Sequence, residues 1–541
     1  MGRRPDRSMD DVEGRQRQVS RVVVVAVTLL AAACAGANEG RPELRPVSMP
    51  ELAKMGESVQ AQIRAADAAL TRAIDDRAAP PALADTYGLL GRLFMAADLP
   101  EAAEPCLLNA HTLAPSDLRW PYYLGHLNRD RGDLAAAAGF FKRAVELRPD
   151  DVASLVWYGD VQLALGKPDE AEPQFAKASS LQPNSLSARF GLGRAALARQ
   201  DYRRAVTYLE EVLSQDSEAA AAHYPLAMAY RGLGDLAKAD NHLRQRADHQ
   251  ILPADPLMVE LDELLESPQA YESRGIRALD QKDWTEAAAL FRKGLAIEPA
   301  NSALRHRLGS ALYMMGDAVN AREQYEEAVR ISPENHLAQY SLGVLLQADG
   351  KHRDAVERLT AALKSRPSHT PAHVRLASSL RRMGRVKEAL DHYEQALQQQ
   401  PNLIEARFGQ AITLVQAGRY SEARERLSDG MKQFPDQTVF AHGLARLLAT
   451  APDARVRDGR RAMSLAEDVL KQGRTLDLGA TVAMAFAEMG QFAQAAAVQR
   501  DLIAAAEKAG LRDVVTRLAG NLKLYERGEP CRTPWTLDEI P

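Results

Sequence analysis

A thirty-four-residue phrase recurs about twelve times along this chain of 541 residues. The copy Leu118 to Asp151 reads LRWPYYLGHLNRDRGDLAAAAGFFKRAVELRPDD, and further copies begin at Ala84, Val152, Leu186 and Ala220. After a break the phrase resumes at Pro268, Ser302, His336, Thr370 and Ile404, with two looser copies near Thr438 and Leu476. Length alone suggests three or four globular domains. A period of this size overrides that prior, because each unit is too small to bury its own apolar face and must stack on its neighbours.

The offsets within the phrase define two antiparallel helices. Leu-Gly stands at the seventh and eighth places in Leu90-Gly91, Leu124-Gly125, Leu192-Gly193, Leu308-Gly309 and Leu342-Gly343. Ala holds the twentieth place at Ala103, Ala137, Ala171, Ala205, Ala287, Ala321, Ala355 and Ala389, letting the second helix lie close against the first. The first helix stops at Gly132, Gly166, Gly234, Gly316, Gly350, Gly384 or Gly418, residues suited to the left-handed turn after a helix. Asp98, Gln200 and Lys282 stand at that turn in other copies. Pro115, Pro149, Pro183, Pro299, Pro333, Pro367, Pro401 and Pro435 close the second helices, since the residue before proline is pushed out of the helical region. Pro100 and Pro168 open second helices, where a missing N–H costs nothing. Pro121 and Pro225 fall within first helices and are expected to kink them.

This pattern resembles the tetratricopeptide repeat family from about Ala84 to Ala509. The resemblance implies an all-α fold, a right-handed superhelical solenoid of about twelve helix-turn-helix repeats with capping helices. The expected organisation is a signal segment (1–33), a tether (34–50), an N-terminal capping helix (51–83), a first repeat block (84–253), a joint (254–267), a second block (268–437), degenerate repeats (438–509) and a C-terminal capping helix with tail (510–541). Leu52, Met55, Val59, Ile63, Ala66, Leu70 and Ile74 mark one face of the first cap. Leu511, Val515, Leu518, Leu522 and Tyr525 mark the second, which Gly528 ends. Open solenoid ends expose core and need such caps. The joint, LPADPLMVELDELLES, reads either as a rigid connection with Leu257, Leu261 and Leu264 packing or as a hinge.

The N-terminus carries a second signal. Arg21 precedes the apolar run Val22 to Ala33, too short to span a bilayer, and LLAAAC places small residues before Cys34. This resembles a bacterial lipoprotein signal, implying lipidation of Cys34 and a membrane anchor. The alternative is a plain secretory signal cleaved near Ala35. Ala35 is not the Asp associated with inner-membrane retention, so the expected location is the outer membrane, facing the periplasm. A formal charge of −4 gives no footing for nucleic acid. Cys106 and Cys531 lie at opposite ends of the repeat array, so no disulfide is expected between them.

No catalytic constellation emerges: there is no HExxH, P-loop or GxSxG. Gly191-Leu-Gly193-Arg-Ala-Ala196 superficially matches a dinucleotide fingerprint but lies inside a first helix with no strand before it, so its small residues read as packing. His369 and His373 straddle a repeat junction and read as surface histidines rather than a metal pair. No cofactor and no metal is expected.

What remains is surface. In the resembled family the second, fifth, ninth and twelfth places of first helices line the concave face. Carried onto this chain, they give ligand-binding candidates Arg92, Tyr122, His126, Val156, Phe190, Arg194, Tyr224, Met228 and Arg231, an aromatic groove edged with arginine. The second block presents His306, Tyr313, Tyr340, Val374, Arg381, Phe408, His442 and Arg446. Packing between adjacent helices is the competing role for any one of these rings. The expected function is a non-catalytic protein–protein interaction scaffold holding a partner segment in that groove. The alternative is an accessory lipoprotein for polysaccharide export, its rings stacking on sugar faces.

Overall fold

A computed structural model describes residues 42–247 and 250–535. Residues 1–41, with Cys34 and the signal-like run, lie outside the described residues. Among the described residues every regular element is helical. The chain divides into two compact units, 1–270 and 271–541.

The first unit opens with the helix Glu57–Asp75, which buries Val59, Ile63, Ala66 and Leu70. Five helix pairs follow. They are Pro80–Ala96 with Pro100–Leu113, Arg119–Asp130 with Leu134–Leu147, Val152–Ala164 with Pro168–Leu181, Leu186–Ala198 with Tyr202–Gln215, and His223–Gly232 with Leu236–Gln245. A single 3-10 turn, Ala220–Ala222, precedes the last pair. The short helix Pro256–Glu263 then runs back along the unit.

In the second unit, helices that begin at Ser302, His336, Thr370, Ile404, Thr438 and Leu476 start where the repeat phrase does. The array ends on Arg512–Glu526, which buries Leu518 and Tyr525.

The repeated small residues have a common cause. Ala103, Ala137, Ala171, Ala205, Ala287, Ala321, Ala355 and Ala389 are wholly buried between paired helices. Where a copy has glycine at its eighth place, that glycine faces a large side chain from the second helix of the same pair. A Cβ on Gly125 would lie 2.8 Å from the Phe141 ring, and one on Gly309 2.7 Å from the Tyr325 ring. Small against large, one repeat at a time, sets the interior packing density.

Turns and caps follow local chemistry. Asp133, Asp201, Asp235, Asp283 and Asp317 cap second helices by accepting from a backbone N–H. The turn glycines have positive φ, and so do their substitutes: Asp98 at 58°, Gln200 at 61° and Lys282 at 62°.

Pro121 and Pro225 both fall within first helices, as expected. Each is the third residue of its helix, within the first turn, where the missing N–H has no intrahelical acceptor to lose. Pro105 and Pro173 lie deeper inside their helices, each five residues after a proline that opens the helix.

Candidate functional site

The first helices of the first unit carry the groove candidates, and the structure sorts them into two groups. Tyr122 is 1% exposed, His126 0%, and Val156 is equally buried. Phe190, Arg194 and Met228 are half-buried, whereas Tyr224 is 54% exposed and Arg231 is exposed. Tyr122, Phe190 and Tyr224 occupy one place in the repeat but not one environment.

What divides them is the chain's own joint. Asp255 caps the Pro256–Glu263 helix by accepting from the Met258 N–H at 3.1 Å. The same carboxylate accepts from the Tyr122 hydroxyl and, at 2.8 Å, from Trp157 Nε1. Burial and the Asp255 charge push the Tyr122 hydroxyl far above its ordinary pKa, so it stays a donor. Tyr123 donates to the Leu257 carbonyl at 3.1 Å. Arg92 reaches Glu260 at 3.7 Å, and Gln62 Nε2 donates to the Leu264 carbonyl at 3.2 Å.

His126 stands at the centre of this cluster. Its ring lies 4.8 Å from Tyr122, 5.1 Å from Phe141 and 4.9 Å from Trp157, centroid to centroid. Nε2 is 3.8 Å from Asp255, beyond hydrogen-bond reach, and neither ring nitrogen has a hydrogen-bond partner. Burial, with Arg129 nearby, lowers its pKa well below the usual value and holds the ring neutral.

The half that the joint leaves open is a pocket of about 860 Å³, lined by Trp157, Asp160, Leu163, Phe190, Arg194, Leu197, Tyr224, Ile251 and Leu252 among others. Arg194 crosses it, its guanidinium 5.5 Å from the Phe190 ring centre and 2.7 Å from the Asp160 carboxylate. Burial raises the Asp160 pKa, partly offset by Arg194. The pocket offers aromatic and aliphatic walls with one fixed ion pair.

Two residues central to this site escape the sequence reading. Trp157 stands at the sixth place of its repeat, outside the places taken as concave, and its rarity in the chain is the one signal that marks it. Asp255 lies in the joint, beyond the period.

In the second unit, Val374, Arg381 and Arg446 are buried, Tyr313 is exposed, and His306, Tyr340, Phe408 and His442 are half-buried. Here too the chain covers part of the face. Arg446 donates to the Pro534 carbonyl at 2.5 Å and to Asp477 at 3.0 Å, with the Trp535 ring 5.2 Å away.

The reading of His369 and His373 as surface residues is corrected for His373. It is buried, with Nδ1 3.0 Å from Nδ1 of His392 and Nε2 2.9 Å from the Pro367 carbonyl. His369 Nδ1 accepts from the Ala372 N–H, capping the helix. The first unit repeats the arrangement at the same places of its own fifth repeat, with His223 Nδ1 2.9 Å from His242 Nδ1. Among the described residues no group of three or more His, Cys, Asp or Glu gathers as metal ligands, and no helix is long and apolar enough to cross a membrane. Gly191 faces the Phe175 ring and Gly193 the Leu209 side chain, so the fingerprint-like glycines are packing surfaces. Cys106 and Cys531 are both buried.

Two family profiles, both described as tetratricopeptide repeat, match this chain. One covers residues 129–190, 278–345 and 380–447. The other covers 89–152, 191–240 and 340–404. Together they span more than half of the sequence. No curated protein matches. Among solved structures, a tetratricopeptide repeat protein from Parabacteroides merdae is 20% identical, covers 48% of this chain and 98% of its own, with a TM-score of 0.38. MamA structures from AMB-1 and MSR-1 are 23% and 22% identical. Each covers 30% of this chain, and they cover 90% and 95% of their own, with a TM-score of 0.28.

Proposed function

Since the chain belongs to the tetratricopeptide repeat family, whose domains generally bind protein partners, we propose that it is a non-catalytic scaffold gripping a partner segment in the groove of its first unit. The carrying observation is the open pocket of about 860 Å³ between Trp157 and Tyr224, beside which part of the chain already lies. Tyr224 offers an exposed ring, Phe190 and Leu197 give apolar walls, and Arg194 is held in place by Asp160. An exposed tyrosine and a half-buried phenylalanine beside a fixed arginine form the composition in which binding energy concentrates.

A photo-cross-linking residue at Tyr224 tests this against the same residue at Lys142, on a second helix. Capture of one protein from Tyr224 alone supports the groove. Equal capture at both positions, or capture that survives Phe190→Ala with Arg194→Ala, refutes it.

The scaffold is further proposed to be anchored through lipid on Cys34 and to face the periplasm from the outer membrane. The support is the apolar run after Arg21, the small residues before Cys34, and Ala35 after it. Metabolic labelling with a fatty acid should mark the wild-type protein and not Cys34→Ser. An unlabelled wild type leaves simple export in its place.

A further inference from the structure

Part of the chain itself lies against the candidate groove of the first unit. Just before the joint, Ile251 and Leu252 line the open pocket. Asp255 meets Tyr122 and Trp157. Leu261 is buried among the residues of the N-terminal cap and first repeat. The joint therefore runs against the order of the repeats, held by the Asp255 carboxylate at the start of a short helix and, further along, by Tyr123 on the Leu257 carbonyl, Arg92 beside Glu260 and Gln62 on the Leu264 carbonyl. A helix laid in a groove and read through one polar anchor and spaced leucines is a recognised mode of peptide binding.

The segment has little regular structure of its own. Pro256–Glu263 spans eight residues, below the length at which a helix stands alone in water. Leu261 is the one residue of that helix that is fully buried, and Val259 is 54% exposed. Nor does the joint satisfy the site it fills. His126, wholly buried, keeps both ring nitrogens without a hydrogen-bond partner while Asp255 stops 3.8 Å away. A buried polar group left unpaired is costly, so the site favours a ligand that reaches further than its present occupant.

We infer that residues 251–264 are an internal stand-in for the partner, and that the partner binds by replacing them. This rests on the groove reading above and sharpens it. The partner segment presents two apolar residues, then an acidic residue three positions on, then a short helix with leucines two and six positions beyond the acid. Those are the spacings of Leu252, Asp255, Leu257 and Leu261. The apolar pair enters the open pocket, the carboxylate takes the Tyr122, Trp157 and His126 donors, and the leucines cover the first repeat.

The probe is a fluorescein-labelled synthetic peptide of residues 250–265, added to the full chain. A chain with its own joint loosened by Asp255→Ala, Leu257→Ala and Leu261→Ala should bind it at least tenfold more tightly than wild type. Replacing the aspartate of the peptide by alanine should cost at least tenfold, and so should adding Tyr122→Phe and Trp157→Phe to the loosened chain. Circular dichroism establishes that each variant keeps its helix content. Amide exchange on the wild-type chain needs no variant: residues 256–263 should exchange at least tenfold faster than Val152–Ala164. The inference is overturned if the loosened, fully helical chain binds no better than wild type, if the aspartate-free peptide binds equally well, or if the joint amides are as protected as their neighbours. A loosened chain that binds the peptide while nothing is captured at Tyr224 overturns the groove reading and leaves an internal clasp. Capture at Tyr224 without peptide binding overturns the present inference alone.

Discussion

Phe175 and Gly191 are expected to be energetically coupled, and the sign of the coupling tests the reading of the glycine pattern. Phe175 is wholly buried. Its ring fills the space between two first helices, where a Cβ on Gly191 would lie 2.3 Å and one on Gly159 2.7 Å from a ring carbon. Phe175→Ala removes that ring, at a cost of about 3–5 kcal/mol for a fully buried phenylalanine. Gly191→Ala in the wild-type background forces a methyl into the ring, costing about 1–3 kcal/mol by overpacking. Helix propensity returns about 1 kcal/mol of that. In the Phe175→Ala background the obstacle is gone, the propensity gain remains, and the methyl fills part of the cavity. The double variant should therefore be more stable than the sum of the singles by about 1–3 kcal/mol. The assay is urea unfolding followed by helical circular dichroism, with amide exchange in Val152–Ala164 and Leu186–Ala198 to localise the effect. Additivity within about 0.5 kcal/mol refutes the reasoning. It would mean that Gly191 is small for some reason other than this ring.

Acid should loosen the chain through its buried histidines. Burial lowers His306 to about 4, so between pH ~6.5 and ~4 the unfolded chain binds a proton that the native chain refuses, and stability falls as pH falls across that window. The contribution is about 3 kcal/mol, and His306→Gln should flatten that part of a chemical-denaturation pH profile; an unchanged profile refutes it. Lys282→Gly should stabilise the second unit by about 1 kcal/mol, because it removes a side chain from the left-handed turn; a lower urea midpoint would contradict this. Burial pushes the Cys106 thiol up to about 12, so at pH 8 it should resist iodoacetamide in the native chain and react on unfolding, as read by peptide mass spectrometry. Rapid native alkylation would refute the burial argument.

What the sequence by itself determined is everything that happens within one period. Helix starts at Val152, Leu186, Ser302, His336 and Thr370 follow from the phrase, because caps, turn residues and small-against-large pairs are contacts within one repeat or between neighbours. Even the substitutes Asp98, Gln200 and Lys282 took the left-handed turn, since a tight connection between two packed helices imposes that φ whatever the side chain. The candidate places recur at fixed offsets in the phrase, but their exposure is not written there. Tyr122 and Tyr224 share a repeat place and differ because residues far along the chain cover one of them. Tyr122 meets Asp255 across 133 residues, and Arg446 meets Pro534 across 88. A stacked repeat writes its neighbour contacts at a fixed separation that can be read from the sequence. A segment outside the period, such as the joint or the tail, has no fixed separation. Where it lies is decided by the apolar and hydrogen-bonding surface it finds once the repeats have stacked, and only the tertiary structure holds that surface.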